Sequence, residues 1–239
     1  MPLKKNRLEN CKLYAIVGPQ DAARLALPIE TLVEEAVRGG ADIVQLRDKQ
    51  SSDAELLAAA RACKAVTQKL GAVLIVNDRI EVARQSGADG VHLGQDDASI
   101  DEARQALGED RLVGRSTHSL AQALAAQNEG ADYIGVGPIF ATPTKPDYIP
   151  VGERLLDEVA GKIHIPYFAI GSLNATNIPS VLKRGATRIA VVRAAFSDRD
   201  VRARVRALKQ LLDRNPGLSP RDNFNREQPR TESAGYPSL

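Results

Sequence analysis

The amino-acid sequence predicts an α/β protein built as a single (β/α)8 barrel, the TIM-barrel architecture. Two observations support this fold: short apolar runs alternate with helical patterns eight times, and a Gly-Ala motif recurs before four of the runs. An open, doubly wound sheet is the alternative, but it usually has fewer strands and a Gly-rich turn after the first strand. Here the first run continues into AIVGPQDAA, which contains no G-x-G-x-x-G pattern, so the closed barrel is favoured.

The predicted strands are rich in Val and Ile, and most of them lack an alternation of apolar and polar residues. This composition is typical of parallel strands that are buried on both faces. Their predicted bounds are residues 12–18, 41–48, 72–78, 89–94, 111–117, 132–140, 165–171 and 187–196.

Helical patterns separate the strands. The stretch SDAELLAAARACKAVTQKLG is rich in Ala and Leu and ends in Gly, which accepts the left-handed backbone that closes a helix. The related stretches GGADIVQL, SGADGVHL, EGADYIGV and RGATRIAV place such a glycine just before a strand, at Gly40, Gly87, Gly130 and Gly185. After the last strand, one face of a final helix carries Val201, Val205, Leu208 and Leu212.

These patterns divide the chain into three parts. Residues 1–11 form an N-terminal extension, and residues 12–213 form the barrel domain. Residues 214–239 contain four prolines and many polar residues without periodicity, so we expect a disordered C-terminal tail.

The composition excludes several classes of function. The 32 basic and 30 acidic residues leave a net charge of +2, which produces no strong attraction to nucleic acid or to a membrane surface. Cys11 and Cys63 form no C-x-x-C pair, so a disulfide framework is not expected and a reducing compartment is compatible. No signal peptide or membrane-spanning apolar run is evident. We expect a soluble, cytoplasmic protein, and a homo-oligomer is compatible with the sequence.

Polar groups follow nearly every predicted strand. Barrel enzymes place their chemistry at the C-terminal ends of the strands, so these groups are expected to share one rim. In strand order they are Gln45, Arg47 and Lys49; Asn77 and Asp78; Gln95, Asp96 and Asp97; Ser116, Thr117 and His118; Thr142, Thr144 and Lys145; Gly171 and Ser172; Val192 and Arg193.

Two carboxylates on neighbouring strands, Asp78 and Asp97, suit Mg²⁺, which commonly takes one or two carboxylates together with substrate phosphates. Arg47, Lys49 and Lys145 would surround them with positive charge. A second anion site is expected at the Gly-Ser turn after the seventh strand, where barrels often bind phosphate. Two anion sites on one rim suggest two phosphorylated substrates.

Simpler interpretations exist for single residues. Asp78 alone could be a helix N-cap, and either Asp96 or Asp97 could serve only to form a turn. His92 lies within an apolar run and is expected to be packed in the structure rather than catalytic. The coincidence of polar groups at five or more strand ends favours a functional site.

The motifs QLRDK, NDR, GADGVHLGQDD, GRSTHS, GADYIGVGPIFATPTK and the AIG turn, in this order, resemble the thiamine phosphate synthase family. The resemblance covers about residues 12–213. It implies a (β/α)8 barrel that condenses 4-amino-5-hydroxymethyl-2-methylpyrimidine diphosphate with 4-methyl-5-(2-hydroxyethyl)thiazole phosphate. It also implies release of diphosphate and a requirement for Mg²⁺.

The resemblance implies a role for each residue that matches the motifs. Asp78 and Asp97 match the Mg²⁺ ligands, and Arg47, Lys49 and Lys145 supply the catalytic positive charge. The pyrimidine diphosphate is expected to contact Gln45, Leu46, Arg47, Asp48, Lys49, Asn77, Ser116 and Lys145. The thiazole phosphate is expected to contact Thr142, Pro143, Thr144, Gly171, Val192 and Arg193.

Two positions depart from the family pattern: Ser172 stands where Gly is usual, and Arg193 stands where Ser is common.

Alternative functions remain open. The related thiazole tautomerase shares this barrel and would use a histidine such as His118 as its acid-base group, but it needs no Mg²⁺ ligands. A non-catalytic barrel that binds thiazole phosphate or thiamine phosphate is a further alternative. RNA binding by the Arg-rich last helix is disfavoured because no aromatic platform accompanies its charges.

Overall fold

The computed structural model describes residues 7–141 and 149–214. In these ranges, parallel strands pair in sequential order and β8 pairs with β1, so the sheet is closed. The closed barrel confirms the predicted fold class. The strands are β1 (Leu13–Val17), β2 (Ile43–Leu46), β3 (Val73–Asn77), β4 (Gly90–Leu93), β5 (Leu112–Thr117), β6 (Tyr133–Val136), β7 (Tyr167–Ala169) and β8 (Ile189–Val191).

Helices follow the strands and cover the outside of the barrel. They are α1 (Pro19–Leu25), α2 (Ile29–Gly39), α3 (Asp53–Leu70), α4 (Ile80–Ser86), α5 (Ile100–Leu107), α6 (Leu120–Asn128), α7 (Arg154–Val159), α8 (Ile178–Lys183), α9 (Arg193–Phe196) and α10 (Val201–Arg214). Within the described ranges, none of them combines the length and apolar character needed to cross a membrane.

All eight predicted strands are longer than the observed ones, and the excess is largest for the sixth and the eighth. The sixth ends at Val136 rather than at residue 140, and the eighth ends at Val191. Residues 193–196 of the last apolar run form α9, in which Ala195 and Phe196 are buried. A buried helical turn that directly follows a buried strand extends the apolar run, and periodicity cannot separate the two. Arg214 was predicted as the first residue of the disordered tail, but it is the last residue of α10. The other residues of the predicted tail, 215–239, lie outside the described ranges.

The core has two layers, which explains why the strands do not alternate in polarity. In β1, Leu13, Ala15 and Val17 pack against the helices, whereas Tyr14 and Ile16 point into the lumen of the barrel. The lumen cluster also includes residues from the predicted N-terminal extension: its members are Leu8, Cys11, Tyr14, Ile16, Ile43, Val73, Ile75, Leu112, Tyr133, Phe168 and Ala190.

The repeated Gly-Ala-Asp motif has a structural role at the N-terminal ends of the strands. Asp42, Asp89 and Asp132 directly precede β2, β4 and β6. Each carboxylate accepts at least one hydrogen bond from a main-chain N–H at the start of the preceding strand and at least one from a basic residue on a helix. The donors are Leu13 N (2.9 Å) and Lys209 Nζ (2.6 Å) to Asp42, Leu74 N (2.8 Å) and Lys64 Nζ (2.8 Å) to Asp89, and Val113 N (2.7 Å) and Arg104 Nη2 (2.7 Å) to Asp132.

Asp89 is the most deeply buried of the three, with 6% of the residue exposed. It also accepts a hydrogen bond from Arg7 at 2.9 Å. Burial opposes its ionised form, but the Leu74 amide and the Lys64 and Arg7 cations outweigh burial and hold the pKa of Asp89 below its ordinary value. The carboxylate therefore stabilises the folded protein above the pKa of the unfolded chain. This contribution is lost as the pH falls through the lower folded pKa.

We predict that Asp89→Asn lowers the free energy of unfolding by about 3 kcal/mol at neutral pH, because it removes one partner of a buried ion pair. Urea unfolding monitored by circular dichroism measures this loss. The difference from wild type should shrink as the pH falls below about 4, near the pKa of an unfolded Asp. The control is Asp213→Asn, since Asp213 is 55% exposed and lies 3.5 Å from Lys12. A pH-independent difference at Asp89 would contradict the electrostatic explanation.

Candidate active site

A cavity of about 570 Å³ opens at the C-terminal end of the barrel. Its walls are formed by the ends of the strands and by the turns that follow them. Seven of the residues predicted to bind substrate line this cavity: Gln45, Arg47, Asn77, Ser116, Gly171, Val192 and Arg193. The expectation that the polar groups after the strands share one rim, which we call the strand-end rule, therefore located the wall of the cavity.

The predicted metal-binding residues are brought together. The carboxyl groups of Asp78 and Asp97 share a hydrogen bond, and Lys49 Nζ lies 3.2 Å from Asp78 Oδ2. Asp97 also participates in a turn, because its Oδ2 accepts a hydrogen bond from Gly94 N at 2.6 Å. The turn function that was considered for Asp97 is therefore present together with the contact to Asp78.

Asp78 does not cap a helix. The N-cap position of α4 is occupied by Arg79, whose side chain makes no capping bond. Asp78 has φ 61°, a left-handed conformation that is uncommon for residues other than glycine. Its main-chain N–H donates to the carbonyl of His92 at 2.9 Å, which fixes the end of β3 against β4. Uncommon backbone conformations of this kind cluster at functional sites, so the capping interpretation is not supported.

The two carboxyl groups differ in acidity. Burial, followed by the contact with Asp97, raises the pKa of Asp78 above its ordinary value. Burial also disfavours charge on Asp97, but the hydrogen bond with Asp78 and the Gly94 amide lower the pKa of Asp97. Asp78 is therefore the weaker acid of the two. Two carboxyl groups in contact cannot readily both ionise unless a cation joins them.

The pair fits a hard divalent cation. Within residues 7–141 and 149–214, no third His, Cys, Asp or Glu completes a metal-binding cluster. Two carboxylates suit Mg²⁺ in particular, since this ion usually retains water and takes substrate phosphate oxygens at its remaining positions. Asp78 and Asp97 are therefore the candidate ligands for such an ion.

Asn77 has an unsatisfied amide. The residue is 7% exposed and lines the cavity, and its Nδ2 has no hydrogen-bond partner in the described part of the chain. A buried donor without an acceptor costs free energy that an incoming ligand can offset. The neighbouring Arg47 also lines the cavity and is held in place by its main-chain N–H, which donates to Val17 O at 2.8 Å. Both groups suit an anionic ligand.

Two predicted substrate contacts have side chains engaged elsewhere. Leu46 is fully buried in the layer between the strands and the helices. Asp48 Oδ1 accepts hydrogen bonds from Gln50 N at 2.9 Å and Ser51 N at 3.1 Å, as a turn residue does. Any contact between these two residues and a substrate would therefore involve their main chain. The predicted Thr142, Pro143, Thr144 and Lys145 lie outside the described residues.

The turn after β7 accounts for one departure from the family pattern. Gly171 has φ 117°, and a Cβ there would lie 2.5 Å from Ile139 N, so only glycine fits. Ser172 has φ 50°, and its Oγ donates to Ala141 O at 2.6 Å. The Ser172 hydroxyl is thus bonded to the segment after β6.

Sequence reasoning missed several residues of the cavity and its support. Gln20 follows β1 and lines the cavity, and the rule applied to the other strand ends would have found it. His92 is buried, as predicted, but it also lines the cavity. Tyr14 and Tyr133 support the cavity floor from within apolar strands, where no local signal marks them as polar. His118 was not missed: the sequence placed it at this rim, where it lines the cavity, and its Nδ1 contacts the carbonyl oxygen of Gly137.

Comparisons with known proteins agree on one family. A family model described as thiamine monophosphate synthase matches residues 13–195. A thiamine-phosphate synthase from Halalkalibacterium halodurans is 42% identical over 207 residues, which cover 86% of this chain and 97% of that protein. A thiamine phosphate pyrophosphorylase structure from Pyrococcus furiosus superposes with a TM-score of 0.79 at 34% identity, covering 89% of this chain and 99% of that one.

The length of the relatives varies. A thiamine-phosphate synthase from Thermosynechococcus vestitus is 46% identical over 206 residues, which cover 86% of this chain. This chain spans only 57% of the length of that relative. The similarity therefore includes the whole barrel, and the chain belongs to the thiamine monophosphate synthase family.

Proposed function

We propose that this chain condenses 4-amino-5-hydroxymethyl-2-methylpyrimidine diphosphate with 4-methyl-5-(2-hydroxyethyl)thiazole phosphate to form thiamine phosphate and diphosphate. The contact between Asp78 and Asp97 is the observation that carries the proposal. Asp78 directly follows Asn77, which lines the cavity together with Arg47. This combination suits a diphosphate bound together with Mg²⁺.

The proposed reaction replaces one bond with another. The bond between the pyrimidine methylene carbon and the diphosphate oxygen breaks, and its electron pair leaves with diphosphate. The electron-rich pyrimidine stabilises positive charge on the methylene carbon, and the thiazole nitrogen supplies the electron pair of the new C–N bond. No protein nucleophile or strong base is required. The enzyme needs to stabilise the leaving group and align the two rings.

The residues of this chain match those requirements. The planar guanidinium of Arg47 suits two oxygens of one phosphate, and Asn77 Nδ2 supplies a further donor. Lys49 is 54% exposed, so its ammonium group can turn from Asp78 toward a bound diphosphate. When held by Asp78 and Asp97, Mg²⁺ would neutralise charge on the diphosphate oxygens.

The second substrate is proposed to bind across the cavity. Gly171, Val192 and Arg193 line the wall around β7 and β8, where barrels often bind a phosphate. The exposed Arg193 would add a charged donor at a position where the family commonly has Ser. Thr142, Pro143 and Thr144 are proposed to complete this site.

A coupled assay with both substrates tests the function. We expect diphosphate and thiamine phosphate to form in equal amounts, and chelation of Mg²⁺ to stop their formation. A thiazole tautomerase would instead convert a thiazole carboxylate phosphate through His118 without releasing diphosphate. A non-catalytic barrel would bind the phosphorylated ligands and release nothing. Either of these results would refute the proposal.

We predict that Asp78→Asn and Asp97→Asn each weaken Mg²⁺ binding and reduce turnover by at least about 100-fold, because each removes charge from the same cation site. Isothermal titration with Mg²⁺ and the pyrimidine diphosphate measures binding separately from turnover. Asp96→Asn is the matched control, since Asp96 is exposed and directly precedes Asp97. Equal losses from Asp96→Asn and Asp97→Asn would show that the wrong member of this pair was assigned.

We predict that Lys145→Ala slows the chemical step by about 30- to 1000-fold, or about 2–4 kcal/mol, as expected when one fixed electrostatic group is removed. The charge that Lys145 would oppose grows as diphosphate departs, so single-turnover rates should fall more than substrate affinity does. Lys145→Arg should restore only part of the rate, because a planar fork replaces a compact ammonium group. An unchanged single-turnover rate for Lys145→Ala would exclude this role.

A further inference from the structure

A chain of hydrogen bonds crosses the lumen beneath the cavity. It begins at Gln45, whose Nε2 donates to Tyr14 Oη at 2.7 Å. Tyr14 Oη lies 3.0 Å from Tyr133 Oη, and Tyr133 Oη lies 3.2 Å from His92 Nδ1. The chain ends where His92 Nε2 lies 3.0 Å from Ser116 Oγ. We call these five residues the lumen relay.

The interior of the relay is buried and tightly packed. Tyr14 is 2% exposed and Tyr133 is fully buried, and Phe168 packs edge-on against both rings. Burial raises the pKa of both phenols, so each of them keeps its single proton. Gly114 makes room for this arrangement, because a Cβ at that position would lie 2.2 Å from Tyr133 Cζ.

One direction of the hydrogen bonds satisfies every group of the relay. Gln45 donates through Nε2 to Tyr14, and if Tyr14 then donates to Tyr133 and Tyr133 to His92 Nδ1, each phenol accepts one bond and donates one. In this direction a neutral His92 carries its proton on Nε2 and donates to Ser116 Oγ. Ser116 then accepts from His92, which leaves its own O–H proton for another acceptor.

We propose that the lumen relay has this direction and that Tyr14, Tyr133 and His92 are positioning residues, which hold Ser116 as a hydrogen-bond donor for the contact with the pyrimidine diphosphate that the sequence motifs imply. The identity of the ligand rests on the proposed function. Gln45 and Ser116, the two ends of the relay, both line the cavity, whereas the two tyrosines between them are enclosed in the lumen. A polar chain that only filled the lumen would have no need to reach the cavity at both ends.

The direction of the relay can be measured without any variant or ligand. The chain has three histidines, so the ring nitrogens can be assigned by ¹⁵N-edited long-range proton correlation spectra. We expect His92 to be the neutral tautomer with a protonated Nε2 and an acceptor Nδ1. A proton on Nδ1, or on both nitrogens, would refute the proposed direction whatever the enzyme binds.

The coupling to Ser116 is tested by cutting the relay at Tyr133. We expect Tyr133→Phe to release His92 from its single tautomer and to weaken binding of the pyrimidine diphosphate by about tenfold, in the range for a lost hydrogen bond to a charged group. The matched control is Tyr167→Phe, because Tyr167 Oη donates to Gly185 O at 3.3 Å outside the relay. This control should leave both the His92 spectrum and the affinity unchanged.

A double-mutant cycle separates positioning from a general loss of structure. Tyr133 acts on the ligand only through Ser116 in this proposal, so Ser116→Ala/Tyr133→Phe should bind the pyrimidine diphosphate no more weakly than Ser116→Ala. Additive losses would refute the coupling. If Tyr133→Phe does not fold, Tyr14→Phe provides the same cycle one step earlier in the relay. Failure of the wild-type chain to bind the pyrimidine diphosphate would refute the proposed function and leave the direction of the relay to the spectra.

Discussion

Filling the lumen of the barrel is the constraint on which the rest of this structure depends. Eight strands leave an interior just wide enough for side chains, and every inward position must be occupied without leaving polar groups unsatisfied. Here, apolar residues such as Leu8 and Ile43 fill part of the lumen, and Tyr14 and Tyr133 bring hydroxyl groups into it. Because those hydroxyls require partners, the packing of the lumen also determines which polar groups lie beneath the cavity.

The two ends of the barrel use carboxylates in opposite ways. At the N-terminal end, Asp42, Asp89 and Asp132 each have a main-chain donor and a basic side chain as partners. At the C-terminal end, Asp78 and Asp97 contact one another, and among the described residues the cation beside Asp78 is the half-exposed Lys49. The first arrangement stabilises the fold. In the second arrangement, the described residues compensate the charge of the carboxyl groups poorly. Such a deficit is expected of a site that binds a charged ligand.

Much of this organisation could be read from the sequence. Unalternated apolar runs separated by helices were sufficient for the barrel, because strands buried on both faces have that pattern. The strand-end rule then located Asn77, Asp78, Asp97 and Ser116 at one rim. The limits of β8 could not be predicted, because Val191 and Phe196 are equally apolar although one ends a strand and the other ends a helix.

Contacts across the lumen were beyond the reach of local patterns. Tyr14 and Tyr133 are 119 residues apart, and nothing near either residue indicates a polar partner. The same limit applies to Leu46 and Asp48, whose motif suggested substrate contacts although their side chains are engaged elsewhere. A motif gives the order of residues along the chain, but the direction of each side chain depends on the pleat of the strand and on the turn that follows it.

Gly114 links these observations to the way such a barrel can change over time. Any side chain at position 114 would displace the Tyr133 ring, so an exchange there is tolerated only if residue 133 becomes smaller as well. The two positions are therefore expected to covary among related sequences. Because position 114 lies two residues before Ser116 on the same strand, a change that only repacks the lumen would also alter the hydrogen bonding available at the cavity wall.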